Sequence, residues 1–418
     1  MGNCYSAKKI VKDSPISISE LDNLKSNKHI QISENPQLSY MEDCMLANRE
    51  DQYGGKIYYG FLSQQRILLK LIDPKEKELM EREEDMLSLL SHENIARIFY
   101  PLRLTGKGYV LTMEFVGKNI KALIPILNDL EKKVIMYQLS CVVFYLQERQ
   151  IAHLGLSPNS VYVVEHSGNF IVKLINFQYA LRFNNDFEAL EAEYFIDGFS
   201  SPEVIQEFSE KIAYLSSDIY SLGCLFFYII SGGFQMIQIK YSGQDEKIYT
   251  RLNMIKEDET FKILCKDLIQ KMLVFEQDKR ICPHLVKNHP CFWDAKKITE
   301  FFIDTGISIE KDADYFDFLT KNGQHVIGSD WTKNLEKIVL KVIREMRQKT
   351  IKSFSNNDSH NFKSAGYLVK IIRNSLVHPT DDRIVDIMGT TKEDQVNYWN
   401  KKFPYLLCYL YHSKFQYA

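Results

Sequence analysis

The pattern of hydrophobic and polar positions changes near Leu38. Residues 10–37 are polar and carry no periodic apolar positions, so we expect a flexible segment there. Beyond Leu38, short apolar runs are separated by turn residues, and the run 66–72 predicts a strand that carries Lys70. The segment 75–91 then shows the spacing of a charged amphipathic helix. The folded part of the chain is therefore expected to begin with strands and to continue with a helix.

A long amphipathic helix is predicted further along the chain, over residues 333–352. Its apolar face is expected to carry Leu335, Ile338, Val342 and Met346. Another face carries a basic stripe formed by Lys333, Lys337, Lys341 and Arg344. Such a stripe is either a solvated helix face or a surface for a phosphate backbone, and the sequence leaves both interpretations open.

A polar cluster follows the apolar run 367–372, which predicts a shorter helix. Because Pro379 disfavours helical geometry at the residue before it, the helix should end near His378. Arg373, Asn374 and His378 would then lie on the last helical turn and in the loop just after it. A guanidinium fits a phosphate, a carboxamide adds a neutral donor, and an imidazole carries a proton near neutral pH. This combination suits phosphodiester cleavage.

Composition and charge narrow the class of protein. The chain has 418 residues, of which 45% are hydrophobic and 25% charged, as expected of folded domains with real cores. Its net charge is -2, so overall charge predicts neither a nucleic acid nor an acidic substrate, and any basic surface must be local. The eight cysteines show no metal-ligand spacing, so we expect reduced thiols in a cytosolic compartment and no metal site.

The first six residues, Met-Gly-Asn-Cys-Tyr-Ser, fit an N-myristoylation signal with Gly2 as the acceptor. Cys4 could take a palmitoyl chain as the second signal that stable membrane binding requires. The alternative is an ordinary unmodified tail. We predict that residues 1–37 form a flexible, acylated tether. The expected location is cytoplasmic and peripheral, on the cytosolic face of a membrane.

Four short segments resemble the protein kinase family, because they stand in that family's order and spacing. They are 153–160 at the HRDLKxxN motif, 176–178 at DFG, 201–203 at APE and 218–223 at DxWSLG. The resemblance implies a bilobal fold over residues 38–293, with a β-rich N-lobe and a helical C-lobe. It also makes Lys70 the family's nucleotide lysine and Glu83 its ion-pair partner.

The residues that carry kinase chemistry depart from the family pattern. The catalytic Asp, Lys and Asn of the loop are Gly155, Ser157 and Ser160. The DFG motif reads Asn176, Phe177 and Gln178, which removes a charged magnesium ligand. Of the glycine-rich loop only Gly55 remains, with Glu50 and Gln52 at the other glycine positions. We therefore predict a pseudokinase.

Lys70 and Glu83 leave three interpretations open. The first is an active kinase, which the lost residues disfavour. The second is a degenerate nucleotide site formed by Lys70, Glu83, Gly55 and Asn176 that binds ATP or ADP without turnover. The third, which we favour, is a structural ion pair between Lys70 and Glu83.

After residues 289–293 the chain continues without a Gly/Pro/Ser-rich linker into further helical patterns. The pieces FFxD, IEK, DWxxN, RN and FPxLL follow in order up to Tyr411. This arrangement resembles the kinase-extension nuclease (KEN) family, which comprises the Ire-type unfolded-protein-response sensors and the 2-5A-dependent RNase L. The resemblance implies an all-α KEN domain over residues 294–418 and an α+β chain as a whole.

The resemblance also implies a reaction, namely RNA cleavage by 2′-OH attack to leave a 2′,3′-cyclic phosphate, carried out by a homodimer without a metal or other cofactor. His378 matches the family's general acid, and Arg373 and Asn374 match its phosphate-holding pair. His360 stands thirteen residues before Arg373, where Ire-type sensors have a tyrosine. It is either the general base or an ordinary loop histidine. Tyr367 replaces a family aspartate.

The sequence thus predicts a membrane-tethered pseudokinase–endoribonuclease. The alternative is a non-enzymatic scaffold that keeps both folds for binding. Burial of the Arg373 guanidinium against a carboxylate would favour the scaffold. Convergence of Arg373, Asn374 and His378 on open solvent near a basic surface would favour the nuclease.

Overall fold

The computed structural model describes residues 29–32, 35–45, 56–104, 108–205, 211–236, 245–255, 260–350 and 362–417. The chain divides into two compact units, one up to Ser221 and one from Leu222 onward. The predicted site residues Gly2, Cys4, Gly55 and His360 lie outside the described residues, as do Glu50 and Gln52. The predicted domain bounds stay predictions.

The first unit contains the strands of the structure. They are β1 (His29–Ile32), β2 (Asn35–Met45), β3 (Lys56–Leu62), β4 (Gln65–Ile72), β5 (Ile98–Leu104), β6 (Gly108–Glu114), β7 (Lys118–Asn119), β8 (Ile151–Ala152), β9 (Val161–His166), β10 (Asn169–Leu174), β11 (Leu181–Arg182), β12 (Leu190–Glu191) and β13 (Ile212–Ala213). The largest sheet is antiparallel, with the order β1-β2-β3-β4-β6-β5. This sheet is the β-rich N-lobe that the sequence predicts.

The side chains of β4 alternate between the two faces of the sheet, and this alternation decides where Lys70 lies. Ile67 and Leu69 belong to a cluster on one face of the sheet, whereas Leu68 and Ile72 belong to the cluster that also contains Met80 of the following helix. Because successive strand residues point to opposite faces, Lys70 shares the face of Leu68. The lysine is therefore placed towards that helix, inside an apolar core.

The helices follow from residue 77 onward. They are α1 (Lys77–Ser88), α2 (Ile120–Leu123), α3 (Asp129–Gln147), α4 (Ser217–Ile230), α5 (Asp245–Leu252), α6 (Thr260–Met272), α7 (Pro283–Lys287), α8 (Ala295–Lys311), α9 (Ala313–Asn322), α10 (Gln324–Ile327), α11 (Lys337–Thr350), α12 (Ala365–Val377), α13 (Val385–Met388), α14 (Lys392–Lys402) and α15 (Leu406–Tyr417). Short 3-10 turns occur at Pro74–Glu76, Pro158–Ser160, Phe177–Tyr179, Gln277–Lys279, Pro290–Phe292, Trp331–Asn334 and Asp382–Ile384. The α+β class is confirmed.

The helix predicted over residues 333–352 is shorter than expected. A 3-10 turn occupies Trp331–Asn334, and α11 begins only at Lys337. Leu335, Val339 and Val342 are buried, whereas Ile338 is 37% exposed. The prediction for Ile338 is wrong, because Val339, four residues after Leu335 and three before Val342, takes the core position and leaves Ile338 at the edge of the apolar face. Met346 lies where side chains are not described.

None of the helices in the described parts of the chain combines the length and apolarity needed to cross a bilayer. The run 222–230 belongs to α4, whose residues are mostly buried.

Candidate active site

Helix α12 carries the predicted polar cluster and has a cap at each end. The Ser364 hydroxyl accepts the N–H of Tyr367 at 3.0 Å and begins the helix. At the other end, His378 leaves helical geometry with ψ at 158°, and its N–H donates to the carbonyl oxygen of Asn374 at 3.2 Å. The end of the helix directly before Pro379 is confirmed.

Asn374 and His378 are both exposed at this end of the helix, whereas Ile372 and Leu376 are buried. The indole of Trp399 in α14 donates to the Ser375 hydroxyl at 2.8 Å and fixes α12 against α14. A rigid helix end therefore presents a carboxamide and an imidazole to solvent. This is an arrangement that can bind a phosphate and transfer a proton.

Arg373 is held differently from its two neighbours. Its side chain is 19% exposed, and its Nη2 forms an ion pair with Oε1 of Glu310 in α8. Its Nε is buried and makes no hydrogen bond among the described residues. Gly306, one turn before Glu310, lies directly against the aliphatic stem of Arg373.

The positions of Arg373, Asn374 and His378 support the nuclease interpretation in part and the scaffold interpretation in part. Two of the three groups face solvent, as the nuclease interpretation requires. The Arg373 guanidinium is mostly buried and meets a carboxylate, as the scaffold interpretation requires. The Glu310 side chain is itself 48% exposed, so water surrounds one partner of the pair.

A cation that the sequence did not predict lies beside His378. The Nζ of Lys392, the first residue of α14, is 3.3 Å from the His378 carbonyl oxygen and 3.3 Å from Oε1 of Gln395. Desolvation lowers the pKa of Lys392. No carboxylate pairs with it among the described residues. In the sequence, Lys392 was marked only by its place at the start of a helix, fourteen residues after His378.

Two further expectations concern residues near the cluster. His360 lies outside the described residues, so its role as a base stays a prediction. Tyr367, the replacement for a family aspartate, is 8% exposed and stacks on Trp331 with ring centroids 6.4 Å apart. An aromatic contact thus occupies that position.

The basic stripe on α11 and the turn before it is exposed at all four positions. They are Lys333, Lys337, Lys341 and Arg344. Exposure alone fits both the solvated face and the phosphate surface, so the stripe keeps its two interpretations.

The kinase-like residues form a closed polar network in the first unit. Lys70 donates to Glu83 at 2.6 Å, to Gln178 at 2.8 Å and to Asn176 at 3.3 Å. A lysine ammonium has three donors, so each of them has a partner. Glu83 is fully buried and its second oxygen accepts the N–H of Phe177 at 3.1 Å. Lys70 and Glu83 thus form the predicted ion pair, and Gln178, predicted only as a lost position, also binds Lys70. That the pair is structural stays a prediction.

The substituted loop residues take part in local structure. The backbone N–H of Gly155 donates to Nδ1 of His153 at 3.0 Å. Ser160 donates from its hydroxyl to the Ser157 carbonyl oxygen at 2.9 Å and accepts the Ser157 N–H at 3.1 Å. These serines are buried and cap a 3-10 turn.

One cluster in the second unit has the residue types of a metal site. Asp267, His289 and Cys408 place their ligand atoms within 4.8 Å of one another. However, Nδ1 of His289 accepts the N–H of Cys291 at 3.3 Å, so Nε2 carries the proton that points to Asp267, 3.0 Å away. A protonated Nε2 cannot ligate a metal. The cluster fits a hydrogen-bonded carboxylate better than a metal ion.

Two family matches cover most of the chain. Residues 57–292 match the protein kinase domain, and residues 299–417 match the Ribonuclease 2-5A family. The chain belongs to the kinase-extension nuclease family. The predicted bilobal kinase-like fold followed by a helical KEN domain is thereby confirmed.

Relatives of this KEN chain include proteins from fungi, plants and animals. The Schizosaccharomyces pombe "Sensor for unfolded proteins in the ER ire1" is 25% identical over 86% of this chain and 36% of its own length. The serine/threonine-protein kinase/endoribonuclease IRE1 of Oryza sativa subsp. japonica is 25% identical over 64% of this chain and 29% of its own. The Caenorhabditis elegans ire-1 of the same description is 29% identical over 51% and 21%. The chain thus spans about a third or less of these relatives.

The predicted location is wrong in the light of these relatives. We expected a cytoplasmic KEN protein, peripheral on the cytosolic face of a membrane. The relative that matches 86% of this chain is named as a sensor for unfolded proteins in the ER, which does not support that placement. A short lipidation motif reports where a modifying enzyme could act and does not fix the location of a whole chain. Acylation of Gly2 and Cys4 stays a prediction, since both lie outside the described residues.

Proposed function

We propose that this chain is an endoribonuclease that cleaves RNA without a metal ion. The observation that carries the proposal is the exposure of Asn374 and His378, one and five residues after Arg373, at a capped helix end. This helix end lies inside the region that matches the Ribonuclease 2-5A family. Relatives named as kinase/endoribonucleases support it.

The reaction follows from the groups at this helix end. The ribose 2′ oxygen attacks the adjacent phosphorus, and the bond between phosphorus and the 5′ oxygen breaks. The His378 imidazolium gives its proton to the leaving 5′ oxygen, and a base takes the 2′ proton. Arg373 and Asn374 donate to the phosphate oxygens, whose charge grows in the transition state. We propose His360 as the base. The products are a 2′,3′-cyclic phosphate and a 5′ hydroxyl.

We further propose that the kinase-like region transfers no phosphoryl group. A general base is missing at Gly155, and Asn176 carries no charge for magnesium. The Lys70 donors are occupied by Glu83, Gln178 and Asn176, so the residues present do not fit a magnesium nucleotide. Added ATP or ADP with magnesium should leave both the melting temperature and the rate of RNA cleavage unchanged. A rise in the melting temperature would contradict this part of the proposal.

The active species is proposed to be a homodimer, as the family resemblance implies. Cleavage per mole of protein should then rise with protein concentration and level off when sedimentation shows that dimer formation is complete. A rate per mole that stays constant across the dissociation range would contradict a dimer requirement.

The nuclease proposal is tested with the full chain and a stem-loop RNA in EDTA. We expect cleavage with a 2′,3′-cyclic phosphate end. His378→Ala should abolish the product, whereas His325→Ala, an exposed histidine elsewhere in the same unit, should not. Absence of product from the wild-type chain at high concentration would refute the proposal.

A non-enzymatic scaffold is the second candidate, and the Arg373–Glu310 ion pair favours it. In that case Arg373 serves folding alone. The chain would bind partners without cutting RNA, and Arg373→Ala would lower stability with no activity to lose.

A further inference from the structure

We infer that Gly306 and Glu310 of α8 form a cradle that positions Arg373 for the scissile phosphate. The inference rests on the proposed endoribonuclease function and makes Gly306 and Glu310 positioning residues of that site. The cradle is defined by these two residues, and it acts on both the stem and the head of one arginine.

The stem of Arg373 lies on Gly306. A Cβ added at Gly306 would meet the Cβ and Cγ of Arg373 at 2.8 Å and its Nε at 3.3 Å. Real side chains do not approach that closely, so only glycine lets the arginine stem lie so close to the helix. Glycine inside a helix is less stable than alanine, because it loses more backbone freedom on folding. The close approach of Arg373 supplies a packing reason for a glycine at this position.

The head of Arg373 is held one helical turn further on. Residues four apart share a helix face, so Glu310 lies on the same side of α8 as Gly306. The Glu310 carboxylate forms an ion pair with Nη2 of Arg373. The Nε atom of Arg373 is buried, and its Nη1 has no hydrogen-bond partner among the described residues. One end of the planar guanidinium is therefore fixed, and Nη1 remains as a donor for another acceptor.

Positioning explains this geometry better than competition between Glu310 and phosphate. The Glu310 side chain is 48% exposed, so solvent weakens its opposition to a nearby phosphate. The contact with Gly306 involves no charge at all and holds the stem whether or not RNA is bound. A fixed arginine loses little freedom when the transition state forms, and this advantage acts on kcat.

The kinetic test uses Glu310→Gln and Gly306→Ala on the full chain with a stem-loop RNA. We expect each to lower kcat by roughly 10- to 100-fold, as small misplacements of a catalytic group do, with KM changed by less than about twofold. In an Arg373→Lys background neither change should cause a further loss. Glu300→Gln and Ser308→Ala on exposed positions of α8 are the matched controls and should have no effect.

Two kinetic results would overturn the cradle. A rise of kcat/KM in Glu310→Gln would make Glu310 a competitor of the phosphate. Full additivity with Arg373→Lys would make the two residues merely structural.

A second readout needs no cleavage. In protein labelled with 15N-arginine, the Nε–H signal of Arg373, assigned by its loss in Arg373→Lys, should exchange slowly with water because Nε is buried. Gly306→Ala and Glu310→Gln should make this exchange fast. If the signal behaves so but no RNA is cut, the cradle stands and the proposed function fails. Fast exchange in the wild-type chain would refute the cradle itself.

Discussion

At the residue scale, each of the two candidate sites contains one ion pair, and the two pairs differ in their burial. Lys70 and Glu83 are both almost fully buried, and a buried pair cannot separate without leaving a charge in the protein interior. In the pair of Arg373 and Glu310 one partner is half exposed, so solvent screens the negative charge of Glu310. The kinase-like network is therefore fixed, whereas the arginine near His378 can accept a second ligand.

From the sequence, one partner of Lys70 could be predicted, because the family motif supplies it. The partner of Arg373 could not be predicted. Lys70 and Glu83 were paired in advance, thirteen residues apart. Gln178, 108 residues from Lys70, and Glu310, on a different helix from Arg373, were missed. Spacing rules reach across one helix or one strand pair, and contacts between distant elements depend on packing that no local pattern encodes.

Lys392 supports a first prediction at this scale. Because Arg373 is partly neutralised by Glu310, the Lys392 ammonium, which donates to the His378 carbonyl oxygen, adds positive charge for the phosphate. We expect Lys392→Ala to lower kcat/KM for a stem-loop RNA roughly tenfold, since a lost charge-assisted contact costs about 1.5 kcal/mol.

Lys401→Ala is the matched control for Lys392→Ala, because Lys401 is an exposed lysine on the same helix. Its kcat/KM should stay within about twofold of wild type, as for a distant surface charge screened by salt. Equal losses in the two variants would show a general charge effect and contradict the role given to Lys392.

His153 supports a prediction of pH dependence. Burial lowers its pKa to about 4 from a usual value of 6.5, and its two ring nitrogens are satisfied only in the neutral form, by Gly155 N–H and the Ile175 carbonyl oxygen. A lowered histidine pKa gives stability that is complete above pH 6.5 and lost as the pH falls towards 4. The contribution of His153 amounts to about 3 kcal/mol.

The measurement compares wild type with His153→Phe by hydrogen exchange at the amides of β4 between pH 7 and pH 4. Burial raises the pKa of Asp218 to about 6, so its contribution has the opposite sign, but it is common to both proteins and cancels in the difference. The free-energy difference should shrink by about 3 kcal/mol on acidification. A difference that is independent of pH would contradict the neutral, buried His153.

At the scale of elements, the end of α12 was predicted better than the start of α11. The end of α12 followed from Pro379, a local steric effect that needs no knowledge of the fold. The start of α11 was missed because a 3-10 turn occupies Trp331–Asn334 and the helix begins only at Lys337. Trp331 is 1% exposed, and burying this large ring is a tertiary effect that the helical period does not report.

The hydrogen bonds of Asp267 connect α6 with α15, and we call this set of contacts the joint. It supports a prediction about stability. One oxygen of Asp267 accepts from His289 at 3.0 Å and from His412 at 2.7 Å, and the other accepts from Lys271 at 2.9 Å. These donors hold the Asp267 pKa well below its usual range, so its contribution is present at neutral pH and lost only in acid. We expect His412→Ala to lower the free energy of unfolding by about 2 kcal/mol.

Urea unfolding followed by tryptophan fluorescence measures this effect, because the three tryptophans, Trp293, Trp331 and Trp399, all lie in the second unit. His166→Ala, an exposed histidine of the first unit, is the control and should leave the transition unchanged. An unchanged midpoint in His412→Ala would contradict the structural role of the joint.

At the scale of the whole molecule, the order of motifs sufficed to predict both folds, because a fold depends on many residues and tolerates the loss of a few. The catalytic residues are few, and their presence in order does not fix their partners. The location was predicted wrongly for a related reason, since it rested on a six-residue signal at the N-terminus. The order of motifs predicts the architecture well, and it predicts regulation and location poorly.

One measurement tests the central claim most directly, namely analysis of the RNA ends made by the full chain in EDTA. The account predicts a 2′,3′-cyclic phosphate on the 5′ fragment and a free 5′ hydroxyl on the 3′ fragment from the wild-type chain. It predicts neither product from His378→Ala. Intact RNA with wild type at concentrations that give complete dimer would contradict it, and so would equal cleavage by His378→Ala.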